Sequence, residues 1–183
     1  MKKRTAAGTR RQCLVLLFFA MIAVTIAGCG YRFSPGGDWL DSGIKTIFVD
    51  NLVNSTAEPY VEIYLRNGFE DQFRKSSRFR LANSSETADA VLKGTITALS
   101  TSYVAYDRYD KATESRASMV VNLTFEERGT KKKLWSVSNF TGNESYRVDQ
   151  SNPNTTSINK QAALTKLSND MAEKAYRNLM SGF

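Results

Sequence analysis

The sequence predicts an α+β domain in which two helices pack on one face of a four- to five-stranded mixed or antiparallel sheet. Two stretches, residues 58–75 and 157–179, space their apolar residues at helical intervals. Between them lie segments in which apolar and polar residues alternate, as they do in strands. The predicted order of elements is β-α-β-β-β-β-α, which groups the strands together rather than alternating them with helices.

The first 28 residues have the layout of a secretory signal peptide, with five basic residues before an uncharged apolar run from Cys13 to Ala27. This run is about fifteen residues long, whereas a helix needs roughly twenty to cross the hydrocarbon of a bilayer. It ends in Ile26-Ala27-Gly28-Cys29, a pattern similar to a bacterial lipobox. The sequence therefore predicts cleavage before Cys29 and attachment of lipid to the Cys29 thiol, because a disulfide would require Cys13, which is removed.

A multiply acylated Cys29 is expected to anchor the chain to a membrane, since stable anchoring needs more than one acyl chain. The next residue is Gly30 rather than an aspartate, which favours the outer membrane under the usual bacterial sorting rule. Residues 29–43 are rich in Gly, Ser, Pro and Asp and predict a lipidated tether. Residues 44–183 are then the folded domain, within a mature chain long enough for one hydrophobic core.

Removal of the signal peptide changes the meaning of the net charge. The formal charge of +7 falls to +2, because 20 basic residues then stand against 18 acidic ones. The strongly basic charge that would favour nucleic-acid binding therefore belongs mostly to the signal peptide and not to the folded domain. The chain has no histidine, which excludes the usual histidine-dependent nucleophiles and histidine zinc or haem sites. No catalytic residue, metal site or cofactor is predicted.

The first half of the domain is expected to contain strand, helix and strand. Residues 44–49 are β-branched and aromatic and predict the first strand. Glu58-Pro59 opens a helix that extends to about Lys75, since proline is tolerated in a first helical turn. A short strand is predicted over residues 78–81.

The second half is expected to contain three strands and the last helix. Residues 90–106 predict a strand too long for an average sheet, which is expected to project beyond the sheet or bend near Gly94. Residues 114–126 alternate cleanly, so one face is core and the other is wet, and residues 133–141 complete a hairpin with them. Thr156 or Ser157 is expected to cap the last helix.

The candidate functional residues are basic. Arg108 and Lys111 lie in the loop 106–113, Lys131-Lys132-Lys133 occupy the next hairpin, and Arg147 follows the last strand. Cations beside Tyr106 and Tyr109 suit phosphate or carboxylate, with the rings on acyl or sugar surface. The alternative is that these are solvated turn charges, neutralised by the neighbouring aspartates. Consecutive turns of a meander lie at opposite ends of a sheet, so the two basic groups need not form one patch.

Several segments of the mature chain together resemble the lipopolysaccharide-assembly lipoprotein family LptE. These segments are Cys29-Gly30-Tyr31-Arg32-Phe33, Ile44-Lys45-Thr46-Ile47 leading to Asn54 and Glu58-Pro59, Ala88-Asp89-Ala90-Val91-Leu92-Lys93-Gly94-Thr95-Ile96, and Lys133-Leu134-Trp135. Their order and spacing carry the resemblance, which covers essentially the whole mature chain.

The resemblance implies a non-enzymatic lipoprotein that plugs the barrel of LptD, helps that barrel to assemble and assists delivery of lipopolysaccharide to the outer leaflet. It implies two helices on a four- or five-stranded sheet. It also implies that Arg108 contacts lipopolysaccharide, because Arg108 matches a basic family residue in this role. Arg147 is the nearest candidate for a second family lysine, and Lys111 is a further candidate in the same loop.

Two other classes of function remain open from the residues alone. An accessory lipoprotein of a secretion or envelope-polymer system would share the anchor and the opening strand-helix pattern but would dock on a periplasmic partner. A peptidoglycan-active enzyme would need an acid-base pair of carboxylates. The spacing of the Asp and Glu residues singles out no such pair.

Overall fold

A computed structural model describes residues 39–182 of the chain. The predicted signal peptide, Cys29 and the tether up to residue 38 lie outside the described residues. The elements in chain order are β1 (Thr46–Val49), β2 (Val53–Asn54), α1 (Val61–Lys75), β3 (Arg80–Leu81), a 3-10 turn (Ser85–Thr87), β4 (Ala90–Tyr106), β5 (Ala112–Glu127), β6 (Lys133–Arg147) and α2 (Pro153–Ser181). The predicted α+β class and order are confirmed, and the structure adds the two-residue strand β2.

The strands form one mixed sheet in the order β3-β1-β4-β5-β6, with β2 also paired to β4. β1 runs parallel to β3 and β4, and β2 is parallel to β4. β4, β5 and β6 are antiparallel neighbours. Parallel neighbours need a long crossover, and α1 supplies it between β1 and β3.

The long strand β4 projects beyond the parallel part of the sheet, as the sequence predicts. β1 and β2 pair with β4 only as far as Ile96. Beyond that point, β4 pairs only with β5 within the described part of the chain. The ladder shifts register between Ile96 and Ala98, two residues after the predicted bend at Gly94. The sheet therefore narrows to three long antiparallel strands.

Both helices pack on one face of the sheet around a single hydrophobic core. The alternation in β5 is realised as predicted, because its inward-facing apolar residues are buried. These are Ala117, Met119, Val121, Leu123 and Phe125. The helices approach each other closely at Gly68, where an added Cβ would lie 3.1 Å from the Ala172 Cβ. Burial of each large side chain stabilises the fold by about 1.5–3 kcal/mol.

The predicted cap of the last helix is wrong, because α2 begins earlier, at Pro153. The Asn152 side chain caps it by accepting hydrogen bonds from the N–H of Asn154 at 3.1 Å and of Thr155 at 3.3 Å. Proline suits the first helical position because its missing N–H has no intrahelical partner there. The Thr156 hydroxyl instead accepts from the Asp149 N–H at 2.8 Å.

β6 extends to Arg147, six residues beyond its predicted end at Thr141. The added residues pair with β5, from Gly142 opposite Met119 to Arg147 opposite Glu114. A bulge precedes them at Asn139, whose backbone has φ 53°. The Asn139 N–H donates to the Asn122 side-chain oxygen at 2.8 Å. Asparagine tolerates this left-handed conformation, and the bulge lets the strand resume its pairing with β5.

The Asp89 carboxylate joins the start of β4 to the start of β1. It accepts hydrogen bonds from the N–H of Lys45 at 3.0 Å, and from the N–H and hydroxyl of Thr46, each at 2.8 Å. The N–H of Lys45, followed by the two donors of Thr46, holds the pKa of Asp89 below its ordinary value of 3.8. Asp89 therefore stabilises the fold above pH 3.8, and this contribution is lost as the pH falls through its folded pKa.

We expect Asp89→Asn to lower the free energy of unfolding by about 1 kcal/mol at neutral pH, because a neutral amide oxygen accepts weaker hydrogen bonds than a carboxylate. The difference between the variant and the parent should shrink in acid, where Asp89 is protonated in both states. Urea unfolding at neutral and acidic pH measures it. Asp110→Asn is the control, since Asp110 lies in an exposed turn. Equal losses in the two variants would contradict the role of Asp89.

Candidate functional site

The turn between β4 and β5 lies at the same end of the sheet as the end of β6. We call this end, residues 103–116 and 146–150, the tip. Glu114 and Arg147 are opposite each other in the β5–β6 ladder. The Val148 N–H donates to the Thr113 carbonyl at 2.9 Å. The structure thus brings Arg108, Lys111 and Arg147 to one end of the molecule.

Asp107 shapes the turn that carries Arg108 and Lys111. Its carboxylate accepts hydrogen bonds from the N–H of Tyr109 at 2.8 Å and of Lys111 at 3.0 Å. These bonds, with that of Lys111 the larger cause, lower the pKa of the Asp107 carboxyl. Asp107 is therefore an ionised turn former, and its Oδ1 is directed to the backbone rather than to a cationic side chain.

The Arg108 guanidinium lies over the Tyr109 ring, with its Cζ 4.8 Å from the ring centroid. This cation–π contact orients the guanidinium without using its N–H groups in ion pairs. Tyr109 is 66% exposed, and the neighbouring Tyr103 and Tyr106 are 59% and 58% exposed. The rings of Tyr103 and Tyr106 meet edge to face at 6.4 Å. The tip therefore presents cations next to exposed aromatic rings.

The cations of the tip form no salt bridge within residues 39–182, although Asp107 interacts electrostatically with Lys111. Arg108, Lys111 and Arg147 form no ion pair there, whereas Lys160 and Lys166 each pair with a glutamate. The alternative in which the neighbouring aspartates neutralise the turn is supported by the interaction of Asp107 with Lys111, but by no salt bridge among the described residues. An N–H fork of arginine is well suited to a phosphate or carboxylate group. What the tip can do chemically is bind an anion that also carries an apolar or sugar surface.

Arg116 is a further cation that the sequence reasoning did not single out as a site residue. It is exposed on the sheet face away from the helices and lies opposite Ser145 and Ser102 in the ladders. It also forms no ion pair in the described part of the chain. The sequence signal that could have identified Arg116 is its place among the polar, solvent-facing residues that alternate with apolar residues in β5.

Lys131, Lys132 and Lys133 lie at the other end of the sheet, which we call the base. β5 has 16 residues. A strand of this length spans about 50 Å. The two basic groups are therefore separate, as the meander topology indicates. A cavity of 410 Å³ at the base is lined by acidic and basic residues, among them Glu126, Arg128 and Lys131.

The sheet face away from the helices, here called the outer face, carries mainly neutral polar side chains along β4, β5 and β6. They are Thr95, Ser100, Ser102, Ser118, Asn122, Thr124, Ser136, Thr141, Asn143 and Ser145. Val120 interrupts the pattern, and charges are concentrated near the two ends. Such a face presents hydrogen-bond donors and acceptors without burying unpaired charge against a polar partner.

Two further properties concern metals and membranes. In residues 39–182, no group of three or more His, Cys, Asp and Glu residues is placed to hold a metal ion. Neither α1 nor α2, the helices of the described region, has a stretch both long and apolar enough to span a bilayer.

The fold is similar to that of solved bacterial lipoproteins. A putative lipoprotein from Caulobacter crescentus shares 15% identity over 72% of this chain and 88% of its own, with a TM-score of 0.50. An uncharacterized lipoprotein B from Nitrosomonas europaea shares 8% identity over 83% of this chain and 91% of its own, with a TM-score of 0.51. At these identities the likeness concerns the fold alone. No curated protein matches the sequence.

The architecture is thus that of an α+β domain with a basic, tyrosine-rich tip. A family model described as LptE, lipopolysaccharide-assembly, matches residues 44–179. The chain belongs to the LptE family. This is a family of outer-membrane lipoproteins that act in lipopolysaccharide assembly, and it is not a family of enzymes.

Proposed function

We propose that this lipoprotein plugs an LptD-type outer-membrane β-barrel, helps that barrel to assemble, and assists delivery of lipopolysaccharide to the outer leaflet. The observation that carries the plug role is the neutral polar outer face. A barrel lumen is polar, so its plug must present hydrogen-bonding groups rather than apolar surface. The outer face does this along β4, β5 and β6.

The tip is the proposed contact with lipopolysaccharide. Arg108, Lys111 and Arg147 would bind its phosphates, and Arg116 joins them from the outer face. Charge-assisted hydrogen bonds from arginine to phosphate are among the stronger polar contacts in proteins. The exposed tyrosines would lie against sugar or acyl surface, as amphipathic rings do at interfaces.

The position of Trp39 supports an orientation in which the base lies near the lipid anchor and the tip lies far from it. The Trp39 indole N–H donates to the Leu179 carbonyl at 3.0 Å. Leu179 lies near the end of α2, at the base. A tether 29–43 lipidated at Cys29, in the periplasmic leaflet, would then hold the base near that leaflet. The tip would project away from it by about 50 Å, which exceeds the ~30 Å hydrocarbon of a bilayer.

Co-purification tests the proposal directly. The full-length protein with a carboxyl-terminal tag is expressed in its native host and purified from detergent-solubilised outer membrane, and mass spectrometry identifies what accompanies it. We expect an LptD-type barrel in near-equal amount. Abundant tagged protein without the barrel would overturn the plug role. The accessory-lipoprotein alternative would then take its place.

Charge reversal at the tip tests the lipopolysaccharide contact. We expect Arg108→Glu to weaken binding of lipopolysaccharide about tenfold, since charged hydrogen bonds contribute about 1.5–3 kcal/mol. The melting temperature should not change, because Arg108 is exposed and forms no ion pair with another described residue. Binding is measured by titration of the purified protein.

Lys132→Glu is the matched control for this experiment. It makes the same change of net charge at an exposed position of the base. An equal loss of binding in both variants would mean that net charge, rather than the tip, attracts the ligand. A lower melting temperature for Arg108→Glu would indicate a structural role instead.

A further inference from the structure

We propose that the exposed edge of β4 binds an extended segment of the barrel partner, which adds a strand to the sheet by backbone hydrogen bonds. We call residues 97–106, on the side of β4 away from β5, the open edge. The inference rests on the proposed plug function and specifies how the two chains pair.

The open edge lacks a neighbouring strand within residues 39–182, since β2 ends its pairing at Ile96. Eight of its ten residues are exposed. Natural proteins protect long edges with charged side chains, proline or bulges, because unpaired N–H and C=O groups invite pairing with another chain. The sequence from Thr97 to Tyr106 contains no charged residue and no proline. Its register shifts lie near its two ends. Between these shifts the open edge is unprotected, and its backbone groups are free to pair with another strand.

The direction of the backbone groups identifies which residues would pair. The Ser102 carbonyl accepts a hydrogen bond from the Ser115 hydroxyl at 3.1 Å, so it faces β5. Neighbouring residues of a strand direct their N–H and C=O groups to opposite sides. Thr101 and Tyr103 therefore direct theirs to the open edge, and Leu99 does so two residues earlier. This two-residue repeat of donors and acceptors is matched by an extended polypeptide.

The surroundings of the open edge indicate the occupant. Its side chains are uncharged, so an incoming strand rich in Ser, Thr and apolar residues would pair without leaving a charge uncompensated. Ser100 and Ser102 belong both to this segment and to the outer face. A partner seated on the outer face therefore borders the open edge directly. This continuity favours the barrel partner over a second copy of the chain.

The test compares Thr101→Pro with Thr101→Ala in the full-length tagged protein. Proline removes the outward N–H, and a ladder bond to β5 is spared because this N–H faces away from β5. Alanine removes the same side chain and keeps the N–H. We expect Thr101→Pro to reduce the co-purified barrel about tenfold relative to Thr101→Ala, with similar melting temperatures. A second variant, Thr101→Lys, keeps the N–H, adds a protective charge and should also reduce the barrel.

The outcomes separate this inference from the proposed function. If the unmodified protein carries no barrel, the plug role itself fails. If Thr101→Pro and Thr101→Lys retain as much barrel as Thr101→Ala, the plug role stands and strand addition is wrong. If the purified protein is instead a dimer that only these two variants dissociate, a second copy occupies the edge and the proposed partner is wrong. Amide exchange supplies an independent readout, with protection of residues 99–103 expected only in the barrel complex.

Discussion

Cys29→Ala should remove the protein from the outer membrane. Alanine has no thiol to accept lipid, so the chain is expected to remain in the inner membrane through its uncleaved signal peptide or to appear in the periplasm. Each buried CH₂ of an acyl chain contributes about 0.8 kcal/mol, so loss of all chains abolishes anchoring. Separation of the two membranes on a density gradient measures the effect. Radiolabelled palmitate should label the parent and not the variant.

Cys13→Ala is the matched control for the anchor. Cys13 is the other cysteine of the sequence and lies within the predicted signal peptide. Its replacement leaves the apolar run intact, so lipidation and outer-membrane location should be retained. If Cys29→Ala still fractionates with the outer membrane, the predicted lipid anchor at Cys29 is wrong.

Gly142→Val should lower the free energy of unfolding substantially. A Cβ on Gly142 would lie 2.6 Å from the Met171 Cγ and 3.0 Å from the Leu167 Cδ1. Both residues belong to the buried face of α2. Overpacking of this kind costs about 1–3 kcal/mol, and the β-branched valine should reach the upper value. We expect the melting temperature to fall by about 10 °C.

A double variant distinguishes overpacking from a general weakness of β6. Met171→Ala alone should destabilise the fold by about 2–5 kcal/mol, because it opens a cavity. In Gly142→Val/Met171→Ala, the added methyl groups occupy part of that cavity. The double variant should therefore be more stable than the two single losses combined would predict. Additive losses in thermal or urea unfolding would mean that α2 does not rest on β6 at Gly142.

The fold class, the helices and the long strands could be predicted from the sequence because their signals are local. Alternation along β5 and the apolar stripe of α1 identify which side chains are buried, whatever the neighbours are. The sequence predicts the wrong start for α2, because several consecutive polar residues could each cap this helix. Asn152 prevails over Thr156 in the structure, since Pro153 can begin the helix and Thr156 bonds to Asp149. The extension of β6 depends on the pairing of residues 142–147 with β5, which is invisible in a local pattern.

The candidate site shows the same division between local and long-range information. Arg108 and Lys111 could be selected because they share one loop with tyrosines. Arg147 and Arg116 could not be joined to them from the sequence. These two residues lie near the loop only because the β5–β6 register places Glu114 opposite Arg147 and Arg116 opposite Ser145.

The sequence by itself predicts the signal peptide and the lipid anchor, and it determined the α+β class, the family resemblance and the identity of the candidate cations. The tertiary structure decided which cations lie together at the tip, that the lysine run is at the base, and that half of β4 has an open edge. The physical reason is the distance along the chain over which each kind of information acts. Charge, alternation and motifs act over a few residues, whereas strand order, register and exposed edges follow from hydrogen bonds between segments far apart in the chain.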